Sequence, residues 1–171
     1  MPLPDSMPPA LREVEGQLGF QQRLWRMERI GWVAMALLVT AALAGLTGAG
    51  GPLSRGRAAA PDGSLALDWP RLQRDEAAAE FLLVLPPGGA ESALRLDAGF
   101  LAAWRVEEIQ PPPQEAEAAP DGTRLTFRRT PGVPLRIRLR TRAEGGPGLH
   151  RAEVAAEPGG APLAFSAWVW P

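Results

Sequence analysis

The sequence predicts a mainly β protein: an antiparallel β-sandwich, Ig-like and of about seven to eight strands, preceded by one long N-terminal transmembrane α-helix. Two observations carry this. From residue 65 onward, short apolar runs alternate with polar residues at period two and are separated by Pro- and Gly-containing turns. Between Arg29 and Arg55 there is no charged side chain, and residues 30 to 46 are almost wholly apolar.

The first ten residues, "MPLPDSMPPA", hold four prolines and little that can pack, so a disordered tail is expected. Leu11, Val14, Leu18, Leu24 and Met27 then recur mostly at spacings of three or four, as in an amphipathic helix frayed around Gly16 and Gly19. Residues 1–20 are accordingly read as a disordered or amphipathic cytosolic N-terminus, and residues 21–49 as a juxtamembrane and transmembrane helix. A hydrocarbon layer of about 30 Å needs about twenty helical residues at 1.5 Å each, which residues 30 to 50 supply. Trp25 and Trp32, interleaved with Arg23, Arg26 and Arg29, make the aromatic and cationic belt expected at a membrane interface. Those three arginines outnumber Arg55 and Arg57 beyond the span, which puts the N-terminus in the cytoplasm and the C-terminal domain in the periplasm of a bacterial inner membrane. Ala42-Leu43-Ala44 is also a small-x-small site, so cleavage near Ala44 and release of a secreted or periplasmic β domain is the alternative. Ala36, Thr40, Ala44 and Gly48 fall at four-residue steps, a small-residue row along which another integral membrane protein or a second copy can pack.

Residues 50–64, "GGPLSRGRAAAPDGS", read as a linker and residues 65–171 as the β domain. Leu65, Leu67 and Trp69 alternate; "EFLLVLP" and the pair Leu94 and Leu96 give two more strands. Asp97 is positioned to cap a single helical turn, "AGFLAA", before an extended "RVEEIQ" that ends at a triple proline. "TRLTFRRT", "LRIRLRTR", "HRAEVAA" and "PLAFSAWVWP" complete the strands, and no fixed-period repeat is present. In the last, Trp168 and Trp170 share one face and are expected in the core; left outside, the pair would mark an interface.

The net charge of −1 gives no electrostatic case for nucleic acid. The absence of Cys excludes disulfides, thiolate metal sites and Cys nucleophiles. All 18 basic residues are Arg, with Ala, Gly and Pro abundant, which is the bias of a GC-rich bacterial genome. Arg136, Arg138, Arg140 and Arg142 alternate with Leu135, Ile137 and Leu139, placing four guanidinium groups on one strand face. That face could grip an anionic partner, against the plainer expectation that Glu107 or Glu153 answers the arginines across the sheet. His150 is the only histidine. An envelope hydrolase using Ser166 or Ser92 with His150 is the remaining alternative, although no local signature supports it. Adjacent Glu107 and Glu108 on a strand should face opposite ways, which rules them out as a glycosidase-type pair. No cofactor or metal motif is found, and no enzymatic activity is expected.

The segment "FQQRLWRMERIGWVAMALLVTAALAGLTGAGGPLS", residues 20–54, resembles the opening of a bacterial family of short single-span membrane proteins. That family has an Arg/Trp-rich helix before the span, Gly-Pro-Leu-Ser after it and a small C-terminal β domain; a weaker likeness lies around "VEEIQPPP". The resemblance implies an anchored envelope protein and supplies no catalytic residues. The function expected is an interaction or accessory module of an envelope or inner-membrane complex, held at the membrane by a signal anchor.

Overall fold

The computed structural model describes the backbone of residues 9–43 and 54–171, and the side chains of residues 23–43 and 54–171. The chain divides into two compact units, the N-terminal helix and the β domain.

The helix, α1 (Pro9–Leu43), runs unbroken through Gly16 and Gly19, where fraying was expected. Neither glycine has a proline beside it to deny a backbone hydrogen bond, and glycine alone costs a helix only about 1 kcal/mol. Among the described residues no helix is long and apolar enough to cross a membrane. The reason is length: residues 30–43 give only about 21 Å of apolar helix, and the remainder of the expected span lies outside the described residues. Of the ten residues expected as a disordered tail, the first eight also lie outside them, while Pro9 and Ala10 open α1.

In the β domain, alternation of apolar and polar residues produces eleven strands among the described residues. They are β1 (Arg55–Ala59), β2 (Ala66–Pro70), β3 (Leu72–Arg74), β4 (Ala78–Leu85), β5 (Glu91–Asp97), β6 (Trp104–Gln110), β7 (Glu115–Ala119), β8 (Gly122–Arg128), β9 (Leu135–Ala143), β10 (Gly148–Glu157) and β11 (Leu163–Trp170). One sheet has the order β1-β2-β4-β9-β6, the other β3-β11-β10-β5-β8-β7. Every pairing is antiparallel except β3 with β11. Inward-facing residues of both sheets share one core, as in a β-sandwich.

Three short strands raise the count above the expected seven or eight. β1 begins inside the segment read as a linker, so the domain takes up residues 55–59. Two features hold it there: Arg55 and Arg57 both bind the Asp68 carboxylate on β2, and Gly56 lies against the face of Trp69. A Cβ on Gly56 would fall 2.4 Å from that ring, so the close approach requires glycine.

The center of the core is aromatic. The Phe81 ring lies 5.2 Å from Phe100, 5.4 Å from Trp104 and 5.8 Å from Phe165, in edge-to-face contacts. Phe100 arrives from α2 (Ala98–Ala103), whose N-cap Asp97 accepts a hydrogen bond from the Phe100 N–H at 2.8 Å, as its sequence position predicted. Each buried indole finds an acceptor on the opposite sheet. Trp69 Nε1 donates to the Ser166 carbonyl at 2.9 Å, and Trp104 Nε1 to Gln73 Oε1 at 3.1 Å. Those two bonds tie the sheets together through polar groups that burial would otherwise leave unsatisfied.

Candidate functional site

On β9 the even-numbered arginines face outward while Leu135, Ile137, Leu139 and Thr141 are buried. The stripe is largely answered within its own sheet. Arg138 pairs with Glu80 on β4 at 3.3 Å, Arg140 with Glu108 on β6 at 3.7 Å, and Arg142 with Glu107 at 2.7 Å. Arg142 also donates to the Glu76 carbonyl at 2.8 Å. Among the described residues Arg136 has no ion pair. Glu107 answers the stripe as expected, whereas Glu153 lies on β10 of the other sheet.

The two adjacent glutamates do not face opposite ways. A register shift between Val106 and Glu108 marks a β-bulge on β6, and this extra residue turns both carboxylates toward the arginines of β9. The Arg142 hydrogen bond holds the Glu107 carboxyl below the ordinary glutamate range, against a smaller opposing effect of burial, and raises the Arg142 guanidinium in turn. A carboxyl held ionized in this way is unsuited to act as a general acid near neutral pH. The arrangement therefore acts as a cross-strand ion-pair ladder, and an anionic ligand would have to compete with carboxylates already in place.

His150 is half-buried. Its Nε2 lies 2.8 Å from the Gly146 carbonyl, and its ring meets Trp104 edge-on at 6.0 Å. His150 pairs in register with Ala167, an inward-facing residue, while Ser166 next to it faces outward beside Arg151. Ser92 is on β5, where its hydroxyl accepts from Arg129 Nη1 at 2.9 Å. The structure thus brings neither serine to the histidine. Among the described residues no three His, Cys, Asp or Glu side chains gather where they could hold a metal ion.

Of the helix residues, Trp25 and Arg29 form a cation–π pair, with the guanidinium carbon 3.9 Å from the ring centroid. Arg23, Arg26 and Trp32 are exposed on the same helix. Thr40 Oγ1 donates to the Ala36 carbonyl at 2.7 Å, one turn back, which spends the hydroxyl within the helix. Ala44 and Gly48, the other half of the small-residue row, lie outside the described residues.

The tryptophan pair of β11 corrects the sequence reading. Phe165, Ala167 and Val169 fill the core, and Trp168 and Trp170 lie outside, 50% and 51% exposed. Both faces of this strand are apolar, so periodicity separated them without showing which one turns inward. Trp168 stands in register between Leu149 on β10 and Leu72 on β3, both also half-exposed. Arg74, opposite Trp170, holds its guanidinium 5.7 Å from that ring. This outward row across three strands is an apolar patch with a cation on it.

Three further polar groups escaped the sequence reading. The Asp62 carboxylate accepts from the Ser64 hydroxyl at 2.7 Å, the Ser64 N–H at 3.0 Å and the Ala161 N–H at 2.7 Å, joining the β1–β2 turn to the β10–β11 turn. These bonds, the Ser64 hydroxyl foremost, lower its pKa to about 2. Arg129 is nearly buried, donates to Ser92 and, at 2.6 Å, to the Pro86 carbonyl, and its Nε has no partner among the described residues. A shallow pocket of about 510 Å³ is lined by Arg95, Asp121, Arg124 and Glu157. These four are mutually paired, Arg95 with Asp121 and Glu157, and Arg124 with Glu157, while Glu117 in the same lining has no ion pair among the described residues.

No family model matches this chain, and no curated protein matches it. Among solved structures it is similar to the sulfur carrier protein SoxY from Chlorobium limicola f thiosulfatophilum. That likeness has a TM-score of 0.38 and 13% identity, over 63% of this chain and 80% of that one.

Proposed function

We propose that this chain is a single-pass protein of a bacterial inner membrane, its N-terminus cytoplasmic and its β-sandwich periplasmic, acting as an interaction or accessory module of an envelope or inner-membrane complex. The observation that carries the reading is the exposure of the apolar half of α1. Ile30, Leu37 and Leu38 are each 67% exposed and Leu43 85%, in a stretch with no charged residue. Apolar side chains in such a row are costly in water, at about 25 cal/mol per Å², and hydrocarbon removes that cost. The sequence continues apolar to Gly50, which completes the length of a span. The Trp25–Arg29 pair at its N-terminal side suits the headgroup layer. The likeness of residues 20–54 to single-span proteins supports the same topology. Function on this reading is placement: a tether raises the effective concentration of an Ig-like domain beside a membrane partner.

The partner is another integral membrane protein or a second copy packed along Ala36, Thr40, Ala44 and Gly48. Crosslinking in membranes, followed by purification in mild detergent, identifies which. Gly48→Leu should reduce the crosslinked species while the β domain unfolds at an unchanged temperature; an undiminished crosslink removes helix packing from the account. Ala42-Leu43-Ala44 sustains the second reading, in which a protease releases the domain, and the mass of the mature chain separates the two.

A further inference from the structure

We infer that the outward patch formed by Trp168, Trp170, Leu72 and Leu149 docks the β domain onto the lipid headgroup layer, an inference that rests on the membrane-anchor reading above. The first support is where the chain enters the domain. The Ser54 carbonyl accepts from the Arg71 N–H at 2.7 Å, and the Arg71 carbonyl accepts from the Trp168 N–H at 2.7 Å. Two backbone hydrogen bonds therefore separate the residue that follows the apolar segment from the first tryptophan of the patch. On the anchor reading, a tether attached beside the patch keeps that side of the domain within reach of the membrane.

The second support is chemical. Half-exposed indoles favor the boundary between hydrocarbon and water, where the ring is buried and the N–H remains hydrated. Leu72 and Leu149 flank Trp168 in one row, so the contact is a continuous ridge across three strands. Arg74 lies against Trp170, and among the described residues no salt bridge engages Arg71, Arg74 or Arg151. Most arginines of β9, by contrast, already hold carboxylates. Arginines without carboxylate partners beside exposed tryptophans suit phosphate oxygens, which accept from the guanidinium fork. Asp75, next in sequence to Arg74, uses its backbone N–H on the Trp170 carbonyl, and the chain as a whole carries a net charge of −1. Phosphate contact and indole insertion, rather than net positive charge, are therefore the main attraction.

The full chain, carrying Trp25→Phe and Trp32→Phe to remove the helix indoles, is reconstituted into phosphatidylglycerol–phosphatidylcholine vesicles with brominated acyl chains. The same chain with Trp168→Phe and Trp170→Phe added gives the emission of the pair by difference. Both residues are half-exposed, so the core and the thermal midpoint should persist. Docking predicts that the pair's emission is blue-shifted and largely quenched by bromine, and that Arg74→Ser and Leu149→Ser weaken the quenching. Vesicle flotation in the same samples reports the anchor separately. A chain that floats while the pair's emission stays red-shifted and unquenched overturns docking and leaves the anchor standing. Blue-shifted emission that bromine does not quench means that protein, a second copy included, covers the patch, and also overturns it. A chain that fails to float overturns both.

Discussion

Gly56 and Asp62 show how single residues close this sandwich. At Gly56 the face of Trp69 occupies the space of a side chain, and Trp69 is itself held by the hydrogen bond to the Ser166 carbonyl on the opposite sheet. The ring cannot retreat without losing that bond, so Gly56→Ala should destabilize the domain by about 1 to 3 kcal/mol, read as a lowered urea midpoint. Asp62 acts through its charge. Its carboxylate binds three donors in two turns, and its pKa is lowered to about 2 from an ordinary 3.8. A depressed carboxyl contributes fully above its unfolded value and loses that contribution as the pH falls through the folded one. Asp62→Asn should therefore unfold at a lower temperature than the parent near neutral pH, with the gap closing from just above 3.8 toward about 2. A gap constant across that window would show that hydrogen-bond shape, with no part for charge, accounts for the turn. Asp68 has the same sign: burial pushes its carboxyl up, but the hydrogen bonds and positive charges of Arg57 and Arg55 together outweigh it.

Among the elements, β9 separates stability from display. Its inward residues build the core and its outward arginines form the ion-pair ladder. Ile137→Ala removes a fully buried side chain and should cost about 2 to 5 kcal/mol, whereas Arg138→Ser breaks an exposed pair worth at most about 1 kcal/mol. Urea unfolding of the two variants tests this division, and a similar cost for both would contradict it. The strands legible in the sequence are those with the same alternation: β2, β4, β5, β8, β9 and β11 place Leu, Phe, Ile, Val or Trp at every second position over part of their length, and β10 alternates Ala152, Val154 and Ala156 with polar or small residues. β1, "RGRAA", and β7, "EAEAA", put only Ala and Gly on the face that would declare them, and β3 is three residues long. The capped turn α2 was legible because Asp97 precedes a short apolar run. The bulge in β6 was not, since it depends on the register against β9 and leaves no local mark. The arginine face was read correctly as a face, while its pairing needed the sheet order to bring Glu80, Glu107 and Glu108 alongside.

For the whole molecule, the two units divide the work. The β domain has one shared core and an ion-pair ladder along β9, and its outward tryptophans are the feature its own stability does not explain. The helix has the opposite character, with no core and apolar side chains exposed along its second half. The charge-free run that begins at residue 30 made that apolar stretch legible in the sequence, because composition alone declares it. On the proposed topology a membrane covers both the helix and the tryptophan patch, whereas a freely diffusing chain would expose them to water. Extraction of expressing cells' membranes with alkaline carbonate, followed by intact-mass measurement, addresses this most directly. An uncleaved anchor keeps the 18.2 kDa chain in the membrane pellet at that mass. Release into the supernatant, or a mature chain shortened to a start near Ala44, would contradict it.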